Sequence, residues 1–239
     1  MTESSKKTFS YSGTELDSLA EAKNYYAWVL KQFEPFVGPA MIEVGAGIGT
    51  FSEFVLGVPR VEKLVAIEPA ENTFPHLEAR FKGNSRVDVR KGYLSDHRSA
   101  LSGDALVAVN VLEHVPDDAA FLRDAFASVK QGGHLLLFVP ALPAIFGTLD
   151  LAFEHHRRYT RGTLRTVIES AGWKPLRISY MNMPGIAAWF TAGRILRKTS
   201  IAASDAKAYD RLVVPWLSRL ESIVEPPIGA NLLAIATKP

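Results

Sequence analysis

Met41-Ile-Glu-Val-Gly-Ala-Gly-Ile-Gly-Thr-Phe-Ser52 is the stretch that decides the fold: an apolar run carrying an acid meets three glycines at alternate positions. Met41 to Val44 reads as the end of a buried strand, and Thr50 to Leu56 as the start of a helix. Between them, Gly45, Ala46 and Gly47 form a turn in which glycine's permissive backbone lets a ligand approach the main chain, while Gly49 permits close packing where the helix begins. Chain reversal alone does not require three glycines and a strand-end acid. A strand, a glycine turn and a helix in this order hold a nucleotide, and the neighbouring residues must say which one.

Two features disfavour a dinucleotide. The GxGxxG fingerprint requires glycine where this chain has Thr50, and its pyrophosphate would sit on the helix start beside the Glu43 carboxylate. An acid at that point suits a ligand carrying positive charge, such as the ammonium and sulfonium of S-adenosylmethionine (SAM). A second nucleotide signal follows. Lys63 to Ile67 reads as a buried parallel strand ending in Glu68-Pro69, about twenty residues beyond the turn, where an acid accepts hydrogen bonds from ribose hydroxyls. This spacing is common to NAD and SAM folds.

The run from Glu43 to Gly49, ExGxGxG, resembles the first motif of class I SAM-dependent methyltransferases. That resemblance implies adenine contacts at Gly92, Tyr93 and Leu94 after the third strand, although many relatives carry an acid in place of Tyr93. After the fourth strand, Asn110-Val111-Leu112-Glu113-His114-Val115-Pro116-Asp117-Asp118 is similar to the LEHVPDD segment of small-molecule methyltransferases. It implies that Asn110 and Val111 lie beside the methionine part of the cofactor. His114 is either a base or a packing and capping residue, and Asp117 or Asp118 is expected to cap the next helix.

The long connection after the fifth strand resembles a bacterial methyltransferase subgroup through Asp150 and the HxRRY residues His155, Arg157, Arg158 and Tyr159, followed by a helix ending in Ala171-Gly172-Trp173. Asn182 to Gly185 and Pro227 to Ala234 match the subgroup's final patterns. His155 is the leading candidate for a catalytic base, with His114 behind it. Asp150, Arg157, Arg158 and Tyr159, with Tyr25 and Tyr26 on the amino-terminal helix, are candidate acceptor-site residues. The opposing reading is a structural clamp in which Arg157 or Arg158 pairs with Asp150 or Glu154. Core packing is the corresponding alternative for the tyrosines and for Trp28.

Composition bounds the rest. The chain has 239 residues, 47% hydrophobic and 22% charged, with a net charge of +2 and no cysteine. It is long enough for a large core and ordinary for one globular domain. Near-neutral charge gives no electrostatic case for nucleic acid, and the absence of cysteine excludes disulfides and thiolate metal sites. No metal is expected. The polar amino terminus lacks the apolar core of a signal peptide, no apolar run is long enough to span a bilayer, and a cytoplasmic location is the default expectation.

Alternating strand and helix signals predict an α/β fold: a Rossmann-like, doubly wound, mostly parallel seven-stranded sheet with helices on both faces. Expected elements include a helix over Leu16 to Phe33, strands Ala40 to Val44, Val87 to Arg90, Ala105 to Val109, His134 to Val139, Leu176 to Tyr180 and Asn231 to Thr237, and a helix over Asp117 to Val129. One domain is divided into a helical cap (1–36), a SAM-binding core (37–180), a lid insertion (181–226) and a terminal strand (227–239). Within the insertion, Gly185 to Lys198 carries a wide apolar face with Arg194, Arg197 and Lys198. A lid over the acceptor is the preferred reading, and a homodimer contact or an interfacial lipid contact would use the same face. The expected activity is methyl transfer from SAM to oxygen or nitrogen of a small molecule. The rivals are a SAM-binding sensor or scaffold without turnover and an NAD-dependent oxidoreductase.

Overall fold

The computed structural model describes residues 9–11 and 22–239. A seven-stranded sheet runs in the order β3-β2-β1-β4-β5-β7-β6, with β1 Ala40–Val44, β2 Lys63–Glu68, β3 Val87–Lys91, β4 Gly103–Val109, β5 Val129–Pro140, β6 Lys174–Met181 and β7 Asn231–Thr237. Strands β1 to β5 are parallel, and β7 runs antiparallel to both β5 and β6. Strand order reverses between β1 and β4, which puts a crevice outside the carboxyl ends of those two strands.

The helices divide between the two faces. On one side α5 (Asp118–Ser128) and α7 (Arg161–Ser170) bury Leu122, Leu164 and Ile168 against Leu106, Leu135 and Leu137. On the other, α1 (Lys23–Phe33), α2 (Thr50–Leu56) and α10 (Val214–Ile223) pack Phe33, Phe51 and Leu217 on Met41, Phe138 and Leu233. Strands buried on both faces read as continuous apolar runs, which is why LLLFV and NLLAIA were legible as strands. A further helix, α3 (Phe74–Phe81), covers the edge by burying Leu77 and Phe81, and the short helices α4 (Leu94–His97) and α6 (Thr148–Ala152) lie in the connections after β3 and β5.

Several boundaries differ from the sequence expectation. The helix expected from Leu16 is described from Lys23, and its earlier part lies outside the described residues. The helix expected to end at Val129 ends at Ser128, and β5 begins at once at Val129, five residues before the expected start. The ladder with β4 passes Gly132 and Gly133 through a register shift. Asp117 is the residue that caps α5, accepting from the Ala120 amide at 2.8 Å.

Residues 181–226 hold α8 (Gly185–Phe190), a π-helical turn (Thr191–Ile195), α9 (Ala203–Leu212) and α10. The first part lies on the connection after β5: Thr148 donates to the Gly193 carbonyl at 2.9 Å and Arg194 to that of Phe146 at 3.1 Å. The second part packs on α1, where Asp210 accepts from the Asn24 and Tyr25 amides at 3.2 and 2.8 Å. Leu212, Trp216, Leu220 and Ile223 stay exposed on this part. No helix among the described residues is long and apolar enough to cross a membrane.

Candidate active site

The glycine turn is fastened to the end of β2. The amides of Gly45 and Ala46 both donate to the Ile67 carbonyl, at 2.9 and 3.1 Å, and the Gly47 amide donates to Glu68 Oε2 at 2.7 Å. Gly45 has φ +70°, and a Cβ there would lie 2.4 Å from Val111 Cγ2. Glycine is therefore required for two reasons: left-handed backbone, and contact between the turn after β1 and the loop after β4. A Cβ on Gly49, at φ +86°, would meet Phe81 at 2.7 Å and Leu77 at 2.9 Å, so this residue admits close packing of α3 on the start of α2.

Glu68 is buried and heavily engaged. Oε1 accepts from the Ala70 amide and Thr73 Oγ1, both at 2.9 Å, leaving Oε2, bonded once to Gly47, with the remaining acceptor capacity. Oε2 is thus the oxygen of Glu68 that can take a further donor. Burial raises its pKa, and the bonds from Ala70, Gly47 and Thr73 offset part of that rise. Pro69 follows, half-buried.

Glu43 departs from the permanent negative charge expected of it. It is 3% exposed and accepts from Ser52 Oγ at 2.5 Å. Burial, opposed by that bond and reinforced by the nearby Glu68, pushes its pKa up to about 8. At neutral pH the ligand-free side chain is therefore mostly protonated. A cation nearby favours its ionised form, whereas a diphosphate would hold the proton in place.

After β3 the amides of Gly92 and Tyr93 are already used. Gly92 N donates to the Glu68 carbonyl at 3.1 Å and Tyr93 N to Asp96 Oδ2 at 2.9 Å. The exposed Tyr93 ring and the buried Leu94 are what this loop offers. Phe9 and Tyr11 cross above it, an arrangement absent from the sequence reading: Phe9 O accepts from Glu71 N at 2.8 Å, Tyr11 exchanges bonds with the Asn72 side chain, and their rings face Tyr93 at 6.4 Å and His114 at 5.7 Å. Asn110, at φ 52°, turns the chain out of β4, its amide bonded to Phe138 O at 2.8 Å. Leu142, Glu154 and Asn182 are also left-handed, and Leu142 and Asn182 follow the carboxyl ends of β5 and β6. Strained backbone thus gathers on the side of the sheet where a ligand belongs.

The connection after β5 is organised by Asp150, which is fully buried. Its Oδ1 accepts from Arg158 Nη1 at 2.7 Å and pairs with His155 Nδ1 at 2.9 Å; its Oδ2 accepts from the Gly147 amide at 2.9 Å and from Trp189 Nε1 of α8 at 3.0 Å. Burial alone would raise its pKa, but the bonds from His155, Arg158 and Trp189 outweigh burial and lower it to about 2. The clamp pairing is therefore Arg158 with Asp150. Arg158 also donates to the Ala141 and Ala230 carbonyls at 2.6 and 3.1 Å. Tyr159 is buried, its hydroxyl on Asp118 Oδ2 at 2.9 Å, and Arg157 pairs with the same carboxylate at 3.0 Å. These four candidate acceptor residues fasten the loop to the sheet.

Tyr25 and Tyr26 likewise pack. Tyr25 donates to Asn231 Oδ1 at 2.9 Å and stands edge-on to Phe138, while Tyr26 lies against Phe51 and Phe54. Trp28 is core.

His155 differs from its neighbours. Because the Asp150 carboxylate can only accept, Nδ1 carries the hydrogen, and in the neutral ring the lone pair is on Nε2. Its ring stands 4.8 Å from that of His114, edge to face. Burial first, then the neighbouring His155, lowers the His114 pKa to about 3, so that imidazole is neutral and weakly basic. A shallow cavity of about 260 Å³ lined by Phe36, Asp104, Lys130 and His134 lies at the opposite, amino ends of the strands, away from all these groups.

Residues 12–178 match the family described as a methyltransferase domain. The chain belongs to that family, and its fold is that of the class I methyltransferases. It is similar to a probable S-adenosylmethionine-dependent methyltransferase of Mycolicibacterium smegmatis, 28% identical over 140 residues, which cover 57% of this chain and 52% of that protein, so the match spans about half that relative's length. It is also similar to the ubiquinone biosynthesis O-methyltransferase of Xanthomonas axonopodis pv. citri, 28% identical over 89% of this chain and 81% of that one. Among solved structures, a SAM-dependent methyltransferase from Archaeoglobus fulgidus superposes with a TM-score of 0.59 at 16% identity, covering 92% of this chain and 93% of its own. Phosphoethanolamine N-methyltransferase 2 of Haemonchus contortus, in complex with SAM, gives 0.60 at 19% identity, covering 98% and 54%.

Proposed function

We propose that the protein binds SAM at the carboxyl ends of β1 to β4 and methylates an oxygen or nitrogen of a small-molecule acceptor under the connection after β5. The observation that carries this reading is the closure of the glycine turn on Glu68 through the Gly47 amide, with the protonatable Glu43 at the strand end. Oxygen is favoured as the acceptor atom, since the Xanthomonas relative that covers most of this chain is named an O-methyltransferase.

The residues fit the cofactor. The left-handed Gly47 puts no side chain between the turn and a close ligand, Glu68 Oε2 can accept from a ribose hydroxyl, and Val111 packs on Gly45 at the border of the turn with Asn110 beside it. Bound SAM would supply an electrophilic methyl group on a sulfonium. The chain's own contribution is positioning, which in favourable cases is worth roughly 7 to 11 kcal/mol. His155, its Nδ1 fixed by Asp150, offers Nε2 to a proton leaving the acceptor.

Calorimetry with SAM, with its demethylated product and with NAD tests the cofactor, and transfer of labelled methyl to a panel of phenols and amines tests the reaction. SAM binding without transfer to any acceptor would favour a sensor or scaffold, and NAD binding in place of SAM would remove the reading altogether.

A further inference from the structure

We infer that Glu113, His114 and His155 form a binding site for a divalent transition cation of the manganese-to-zinc series, beside the acceptor position. One donor atom from each of the three lies within 4.8 Å of the others. They come from two chain segments that fold back on one another: Glu113 and His114 from the turn after β4, His155 from the connection after β5. The His156 amide binds the Glu113 carbonyl at 2.8 Å, which holds the two segments in place.

The chemistry of the donors is that of a two-histidine, one-carboxylate set, which leaves coordination positions open and is used by zinc and non-haem iron sites. His155 has the outer support such a ligand needs. Its Nδ1 is held by Asp150 at 2.9 Å, and that carboxylate is itself anchored by Arg158, Trp189 and the Gly147 amide. Metal-bound imidazoles almost always donate their other N–H to a carboxylate, a backbone carbonyl or water, which fixes the tautomer and turns the free nitrogen toward the ion. His114 Nδ1 is buried and makes no hydrogen bond. Donors on one tetrahedral ion with bonds of about 2.1 Å lie about 3.4 Å apart, so donors now within 4.8 Å of one another have to close by at most about 1.4 Å when the ion binds.

An ion here has a role that rests on the methyltransferase reading. Coordinated to an acceptor hydroxyl at an open position, it lowers that group's pKa, so the O–H proton passes to solvent and the oxygen remains on the cation as the nucleophile. In that state His155 is a ligand, and no protein base is needed.

The test is titration of chelator-treated protein with Co²⁺, read by visible absorption. One Co²⁺ per chain with a saturable ligand-field band is expected. His155→Ala and His114→Ala should each weaken the binding at least tenfold, Glu113→Gln should do the same, and the exposed His76→Ala should leave it unchanged. SAM calorimetry on every variant serves as the fold control; if Glu113→Gln does not fold, the two histidine variants decide. Absence of a saturable band, or one that survives both histidine variants, overturns the inference. Because the absorption is read without SAM, a failure to bind SAM would remove the methyltransferase reading and leave the cation result standing. If SAM binds and no cobalt band forms, the methyltransferase reading survives and the cation site does not.

Discussion

The Gly47 amide and the Glu68 carboxylate are 2.7 Å apart, so the turn after β1 and the acid after β2 form one unit. Glu68→Ala removes three internal bonds together with the ribose acceptor, and it should both weaken SAM and loosen the turn. The expected loss in SAM affinity is about 1.5–3 kcal/mol, the range for hydrogen bonds to a charged group. Glu68→Gln, which keeps the shape, should lose less. Calorimetry on both variants checks this, and equal affinity in the wild type and Glu68→Ala would mean that the ribose is held elsewhere.

Gly45→Ala should be more damaging than its size suggests. The new methyl group would overlap Val111 at a φ of +70°, adding steric overlap to a left-handed conformation that costs a non-glycine residue roughly 1–2 kcal/mol. A melting temperature several degrees lower and weakened SAM binding are expected; unchanged values for both would show that the turn rearranges freely.

Glu43 links stability and binding to pH. Its folded-state pKa of about 8 lies above its ordinary value of 4.5, so the folded chain holds a proton that the unfolded chain releases. Stability of the ligand-free protein should fall as pH rises from about 5 to 8. Glu43→Gln should flatten that slope. If a cationic ligand draws Glu43 into its ionised form, SAM binding at pH 7 releases a proton, and the calorimetric heat should then vary with the ionisation enthalpy of the buffer. A buffer-independent heat would leave Glu43 out of the cation contact.

Asp150 has the opposite sign. Its pKa is lowered from 3.8 to about 2, so its stabilisation is present above about pH 4 and is lost as pH falls toward 2. Asp150→Ala strands the buried Arg158 and releases Trp189 and His155, and it should cost roughly 3–5 kcal/mol, as removal of one partner from a buried pair does. Denaturant unfolding measures this. A loss below 1 kcal/mol would contradict the central place of Asp150 in the loop.

His155→Ala should leave SAM affinity nearly intact and lower turnover about a hundredfold or more, whether the imidazole receives a proton or holds a cation. Single-turnover rates with saturating SAM would show it, and full activity in the variant would remove His155 from the site.

Legibility followed the range of each interaction. Strand-length apolar runs and the glycine turn are local, so β1, β2 and β7 were placed by pattern alone, β1 and β7 with the bounds they have in the structure. What failed to show was tertiary. Trp189 reaches Asp150 across 39 residues, and Phe9 reaches the loop after β2 from a segment that reads only as a polar lead. The HxRRY residues sit together on the connection after β5, yet nothing local distinguishes Arg158, which is buried on Asp150, from Arg157, which sits at the rim on Asp118. The charge of Glu43 was misjudged because burial, which reverses its protonation, is invisible in the motif. Glu113 stood unremarked inside LEHVPDD because His155 is brought to Glu113 and His114 only by folding.

The central claim is that the glycine turn and its two acids form a SAM site, and it is tested most directly by titrating one preparation of the protein in parallel with SAM and with NAD. The account predicts saturable binding of one SAM per chain and no heat from NAD. Saturable NAD binding with none for SAM would contradict it.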